Sequence, residues 1–463
     1  MNRYQQLAQQ LKEQIKSQTW RAGEKIPSIR AASQSYSVSP ATVLQAYQLL
    51  ESEGWLNARP QSGYFVTAIL ERGAELELEL SPELPKFNDT LFDFLQSNSR
   101  ASVPLGSAFP DPNLFPIATL NRHLASAGRK MAAQSVVSNM PPGNEDLRRL
   151  IAQRYLKQGV DVSHQDIVIT SGALEALNLS LQVVTKPGDY VAIETPTFYG
   201  SLQAVERLGL KAIEIPVDPK QGLDTQVLED AFKKHDVKAF WLMANFHNPT
   251  GSTLSDEKKQ AVVQLASRYK VKLIEDDVYS ELHFGIDKPK PLKAWDHNED
   301  VLLCGSLSKA LCPGYRIGWV VNRLFNEPIQ KQQLVSTLSG SAPIQQGVAH
   351  FLTHESFDNH LRKLRKELET RQEYVVSLLN RLLAERVTLH VPNGGYFIWI
   401  ELPTHIDTHN LFNSTLKQGV TFGFGGLFGD NKLHGNFIRL NTSFKPSPEL
   451  DQALKLIASE IMK

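Results

Sequence analysis

Residues 305–318 read GSLSKALCPGYRIG and place one lysine, Lys309, between the hydroxyls of Ser306 and Ser308, with Arg316 beyond a Pro313-Gly314 turn. Apolar runs at 301–303 and 317–321 bracket the stretch, which predicts a buried strand opening into a polar loop. A neutral lysine amine forms a Schiff base with an aldehyde, and partial desolvation and a nearby arginine both favour the neutral form. Serine hydroxyls and a guanidinium would suit the phosphate of pyridoxal 5′-phosphate (PLP). A solvated lysine in an ordinary loop is the competing reading of this stretch.

Four upstream sites bear on that choice. Ser171-Gly172-Ala173 follows the apolar run Ile167–Thr170 and opens a helix, so its backbone N–H groups could cradle a phosphate. Tyr199 again follows a strand-like run, and its ring could stack on a planar cofactor or simply pack in the core. Asn248, in His247-Asn248-Pro249, could donate to a phenolate oxygen or mark a plain Asn-Pro turn. Asp276 ends another apolar run; a buried carboxylate there would keep a pyridine nitrogen protonated, with Tyr279 three residues on as a ligand for the ring oxygen. The plainer alternative is acidic residues facing solvent at a strand end. Each piece is ordinary; their ordered succession at strand ends is not.

The elements that must position these residues are legible as alternation. Apolar runs at 167–170, 190–194, 211–215, 239–243, 272–275 and 301–304 alternate with helical periodicity, as in 256–269. This predicts an α/β body with a mostly parallel sheet, helices on both faces and ligands at the carboxyl ends of its strands. The body is expected over 103–463, preceded by an interdomain linker over 68–102 with a short helix around 89–95. The chain has 463 residues and zero formal net charge, so it carries no overall polyanion-binding signature. Its two cysteines, Cys304 and Cys312, have no metal-site spacing, and no metal is expected. With no apolar leader and no run of eighteen apolar residues, a cytoplasmic protein without membrane association is expected.

Residues 1–67 form a separate head. Helical spacing over 3–17, a Ser28-capped helix from Ile29 and a Ser39-Pro40 start for a third helix are followed by two short strands around residues 60–63. Three helices and a hairpin are the makings of a winged helix-turn-helix. Thr42, Gln45 and Gln48 would face base edges in double-stranded DNA, while Lys25, Arg30 and Arg59 would neutralise phosphates. Seven positive against four negative residues leave the head three positive charges, a modest excess, and a small protein-contact domain is the alternative.

The run KIPSIRAASQSYSVSPATVLQAYQLLESEGWLNARPQSGYFV resembles the DNA-binding domain of the GntR family, although Pro40 stands where members often carry a basic residue. Residues 104–460 resemble the fold-type-I, class I/II aminotransferases. That resemblance implies PLP as cofactor, Lys309 as its Schiff-base lysine, Asp276 as pyridinium partner, Asn248 and Tyr279 as O3′ ligands and Tyr199 as the stacking ring. It further implies Ser171, Gly172, Ala173, Ser306, Ser308 and Arg316 around the phosphate. Arg439, in Phe437-Ile438-Arg439-Leu440-Asn441, matches the arginine that clamps a substrate carboxylate. Asn393-Gly394-Gly395-Tyr396 resembles a glycine segment near the substrate, whereas Ser138 occupies the place of a tyrosine that reaches a partner's cofactor. The two parts together resemble the MocR subfamily. This implies a homodimeric transcription regulator that senses an amino compound or PLP; the alternative is a working aminotransferase with a vestigial head.

Overall fold

In the head, Leu7, Ala8, Leu11 and Ile15 recur on one face of helix α1 (Arg3–Lys16) and are buried. Their partners include Ala32 of α2 (Ile29–Ser35) and Val43, Ala46, Tyr47 and Leu50 of α3 (Pro40–Ser52). The Ser28 and Ser39 side chains accept N–H groups of Ala31 and Thr42 at 3.3 and 3.2 Å, fixing where α2 and α3 start. Strands β1 (Leu56–Arg59) and β2 (Gly63–Val66) pair antiparallel as the wing, and an isolated bridge adds Lys25 opposite Phe65. Tyr47 donates to the Pro27 carbonyl at 2.8 Å and pins α3 to the segment that precedes α2.

This computed structural model describes residues 2–17, 19–59, 62–67, 89–131 and 140–463, in two units dividing between Pro85 and Lys86. Ser138, Pro60-Gln61 and the alternating acidic stretch 75–80 lie outside the described residues. The helix expected at 89–95 runs as α4 from Asp89 to Arg100. Its Phe94 packs against Phe412 and Phe424, with ring centroids 5.8 and 5.9 Å apart. Residues 89–102 thus belong to the body, and the segment expected to be linker up to 102 is shorter by that much. Leu91 and Phe94, three positions apart, present an apolar stripe that needs a partner.

The body holds an eight-stranded sheet, β3 (Val103–Pro104) lying outside it in a separate pair. In chain order its strands are β4 (Ile167–Thr170), β5 (Tyr190–Thr195), β6 (Lys211–Asp218), β7 (Gly222–Leu223), β8 (Val237–Leu242), β9 (Lys272–Asp276), β10 (Val301–Ser306) and β11 (Gly318–Val321). Their spatial order is β4-β11-β10-β9-β8-β5-β6-β7. β6, β5, β8, β9 and β10 pair in parallel. Successive residues such as Ile167, Val168 and Ile169 point into different apolar clusters, as a sheet covered on both faces requires. β11 is antiparallel to both β10 and β4. A smaller sheet in the order β12-β13-β16-β15 contains β12 (Thr388–His390), β13 (Phe397–Glu401), β15 (Gly423–Phe424) and β16 (Phe437–Asn441), while β14 (Val420–Thr421) pairs with β3. Among the described residues no helix is long and apolar enough to cross a membrane.

Candidate cofactor and effector site

Strand pairing brings the chemistry together. Asp276 is the last residue of β9 and sits in register with Cys304 of β10, whose strand ends at Ser306, three positions before Lys309. β11 then returns antiparallel, so Gly318 pairs with Ser306 on one side and with Thr170 on the other. A Cβ at Gly318 would lie 2.4 Å from the Gly172 carbonyl carbon, so only glycine lets the start of helix 173–184 come this close. Gly172 itself adopts φ +97°, and a Cβ there would lie 2.4 Å from Nη2 of Arg316. Ser171, Gly172, Ala173 and Arg316 are thereby brought to the same end of the sheet as Ser306 and Ser308. Ser306 and Ser308 are buried; the Ser306 hydroxyl accepts the Ser308 N–H at 3.3 Å, and Ser308 Oγ has no hydrogen-bond partner among the described residues.

Lys309 Nζ donates to the Ala108 carbonyl at 2.6 Å and lies 4.6 Å from the Phe109 ring centroid and 5.7 Å from that of Tyr279. Burial, aided by the charges of Arg439 and Arg316 and opposed by Asp276, holds its amine down to about 7. Burial likewise pushes Asp276 up to about 7 against the pull of Lys309, and its Oδ1 has no partner among the described residues. Tyr279 is buried and its phenol is held well above its ordinary range, chiefly by burial. Tyr199 starts helix Tyr199–Arg207, with its ring centroid 4.6 Å from that of Phe198.

Arg439 is fully buried, with Nη1 donating to Asn248 Oδ1 and Nη2 to the Gly106 carbonyl, both at 2.7 Å. Its guanidinium lies 4.2 Å from the Phe397 ring centroid and 4.9 Å from that of Phe428. Among the described residues it pairs with no carboxylate, and its Nε has no partner. A buried cation held only by neutral groups leaves strong demand for an anion.

Some of the site escaped the sequence reading. The segment 106–111 supplies the carbonyls that receive Arg439 and Lys309. It is clamped by Asn441 Nδ2 to the Ser107 and Phe109 carbonyls at 3.0 and 2.7 Å, and by Arg371 to Asp111 at 2.8 Å. Tyr396, foreseen only as part of a glycine segment, donates to the same Ala108 carbonyl at 2.9 Å. Glu175 accepts the Ser171 N–H, so a carboxylate oxygen occupies a donor suited to phosphate. Pro110-Asp111-Pro112 was the one available signal of a constrained loop. The DNA-facing candidates Lys25, Arg30, Gln45 and Arg59 are exposed on the head; Arg59 stacks 4.2 Å from the Phe65 ring centroid. Thr42 is half-buried and its hydroxyl is shared with Ser39 at 2.8 Å.

Comparison with known proteins matches residues 115–457 to aminotransferase class I and II, and residues 3–66 to the bacterial regulatory proteins of the gntR family. The HTH-type transcriptional regulators YdcR and YjiR of Escherichia coli are 47% and 32% identical to the chain. Each alignment covers 100% of this chain, and 100% and 99% of the respective relative. Among solved structures, the multiple substrate aminotransferase of Thermococcus profundus superposes with a TM-score of 0.76 at 25% identity, over 83% of this chain and 97% of its own. The kynurenine aminotransferase of Pyrococcus horikoshii gives 0.75 at 28%, over 84% and 95%. With a gntR head joined to a class I/II aminotransferase body and full-length likeness to regulators of that build, the chain belongs to the MocR-like HTH-type transcriptional regulators.

Proposed function

We propose that the body of this regulator holds PLP on Lys309 and reads the carboxylate of an amino compound through Arg439. The observation that carries the reading is a buried guanidinium, paired with no carboxylate among the described residues, in the same site as a lysine whose amine is held down to about 7. The residues present fit the cofactor: among the described residues Asp276 Oδ1 and Ser308 Oγ are buried without partners, and Gly172, lacking a Cβ, lets the Arg316 guanidinium lie against the start of helix 173–184. When bound, PLP supplies an aldehyde for amines and an electron-withdrawing ring. Asp276 would hold the proton on the ring nitrogen, Asn248 and Tyr279 would donate at the phenolate oxygen, and Tyr199 would stack on the ring. Ser171, Gly172, Ala173, Ser306, Ser308 and Arg316 would take the phosphate. The low basicity of Lys309 keeps a useful share of its amine neutral and nucleophilic near neutral pH.

The head of each subunit contacts one DNA half-site, and a homodimer presents two such heads. The intact Lys309, Asp276 and Arg439 also favour retained transamination, which keto-acid release from amino donors would reveal. For the head, replacing a phosphate-facing residue weakens binding to all sequences, whereas replacing a base-facing one blurs a single position. Arg59→Ala is expected to lower affinity generally and flatten the salt dependence by roughly one unit of slope. Gln45→Ala is expected to cost about 1–3 kcal/mol at one base pair. Fluorescence anisotropy on preferred and scrambled duplexes across a salt series separates the two; identical profiles for both variants would remove these contacts from the account.

A further inference from the structure

The described residues contain a second polar cluster, formed between helix 117–130 and helix 342–354. His123 comes from the first helix, and His350 and His354, one turn apart on a shared face, from the second. One ring nitrogen from each of the three lies within 4.8 Å of the others. His123 Nδ1 and His350 Nδ1 are 2.8 Å apart although 227 positions separate them in sequence. The rings of His350 and His354 stack with centroids 4.0 Å apart.

The surrounding hydrogen bonds orient these rings as ligands. His123 Nε2 meets Glu355 Oε1 at 2.9 Å, so this nitrogen carries the proton and Nδ1 keeps its lone pair. His354 Nδ1 donates to the His350 carbonyl at 2.8 Å, which leaves its Nε2 lone pair free. A contact of 2.8 Å between two Nδ1 atoms needs a proton on one of them, and His123 already bears its proton on Nε2. The shared proton is then on His350 Nδ1; moving it to His350 Nε2 leaves lone pairs on both Nδ1 atoms, facing each other and available to a cation. A carboxylate behind a histidine, and a carbonyl behind another, are the outer contacts that hold imidazoles to a metal.

We propose that His123, His350 and His354 bind a divalent first-row transition cation, Zn2+ foremost, with Glu355 as the outer carboxylate that orients His123. Three imidazoles match the ligand preference of zinc, whose nitrogen ligands lie at about 2.0–2.1 Å, leaving a fourth position for water. Binding requires the two Nδ1 atoms, 2.8 Å apart here, to part to about 3.4 Å, the separation of two nitrogens each about 2.0–2.1 Å from one ion at a tetrahedral angle. Lys130 and Arg149 line the adjacent cleft and oppose a cation, while Asp146 in the same cleft favours it. Cysteine spacing gave no hint of this site, because its ligands are histidines brought together only by the packing of two helices. The two thiols are buried elsewhere and do not compete.

Equilibrium dialysis of the tag-free, full-length protein against ZnCl2, with zinc counted by atomic emission, tests the proposal. About one zinc per chain is expected for the wild type. His354→Ala alters an exposed ring, so its fold should persist by circular dichroism while zinc affinity falls at least tenfold. Glu355→Gln should weaken binding by about 10-fold to 100-fold. Cobalt(II) in place of zinc should give visible bands of a low-coordinate site in the wild type that vanish in His350→Gln. Absence of stoichiometric zinc, or equal zinc binding by the wild type and His354→Ala, would overturn the assignment.

Discussion

Adding PLP to the wild-type protein is expected to produce a visible absorption band that survives gel filtration, and Lys309→Ala is expected to abolish it. The loss should be complete because the amine held in the site is that of Lys309, its Nζ 2.6 Å from the Ala108 carbonyl, beside Asp276 and the Tyr279 ring. Weak non-covalent PLP binding by the variant is compatible with the account, since the phosphate and ring contacts remain. The pH dependence of capture carries further information. An amine held to about 7 gains its neutral fraction as pH rises through 7 and is mostly neutral above it, whereas an ordinary lysine keeps gaining up to its usual 10.5. The capture rate is therefore expected to rise through about pH 7 and level off above. Stopped-flow absorbance across a pH series checks this; a rate still climbing at pH 9 would show that Lys309 is not depressed.

Arg439→Ala is expected to abolish spectral responses to amino acids while the PLP band persists. The guanidinium is fully buried among aromatic rings and, among the described residues, bonded only to the Asn248 side chain and the Gly106 carbonyl. A ligand carboxylate would supply the charge partner it lacks, with bidentate geometry available to arginine and not to lysine. Truncation also leaves two buried acceptors without a donor, which costs about 1–3 kcal/mol each. Some loss of thermal stability should accompany the loss of response. Because Arg439 also depresses Lys309, its removal should move the capture inflection to higher pH. Titrating wild type and variant with a panel of amino acids and amines decides the matter. Responses unchanged by the substitution would point to an amine without a carboxylate, or to PLP alone, as the signal.

The strands and their order along the chain were legible because a sheet buried on both faces writes itself as apolar runs, as in Ile167–Thr170 and Val301–Ser306. The site residues at their ends were legible for the same reason, since chemistry-bearing side chains gather where such strands stop. The direction of β11 was not, because an apolar run of four residues reads the same in either sense. Nor was the 106–111 segment, which contributes carbonyl oxygens that any residue type supplies. Helix α4 was half-read: its apolar stripe is short, and its true extent depends on Phe412 and Phe424, more than three hundred positions away. In the head, the caps at Ser28 and Ser39 marked both helix starts, and the Thr42 hydroxyl, a candidate for base contact, lies 2.8 Å from that of Ser39, a local contact that residue type alone does not announce.

The central claim is that one chain couples amino-compound recognition to DNA recognition. Its most direct test is selection of genomic DNA fragments by the purified full-length protein, with and without PLP and a responsive amino acid. The account predicts a defined sequence preference whose affinity changes on adding the amino acid, a change absent in Lys309→Ala and in Arg439→Ala. Fragments recovered without sequence preference under every condition would contradict it and leave the aminotransferase reading in its place.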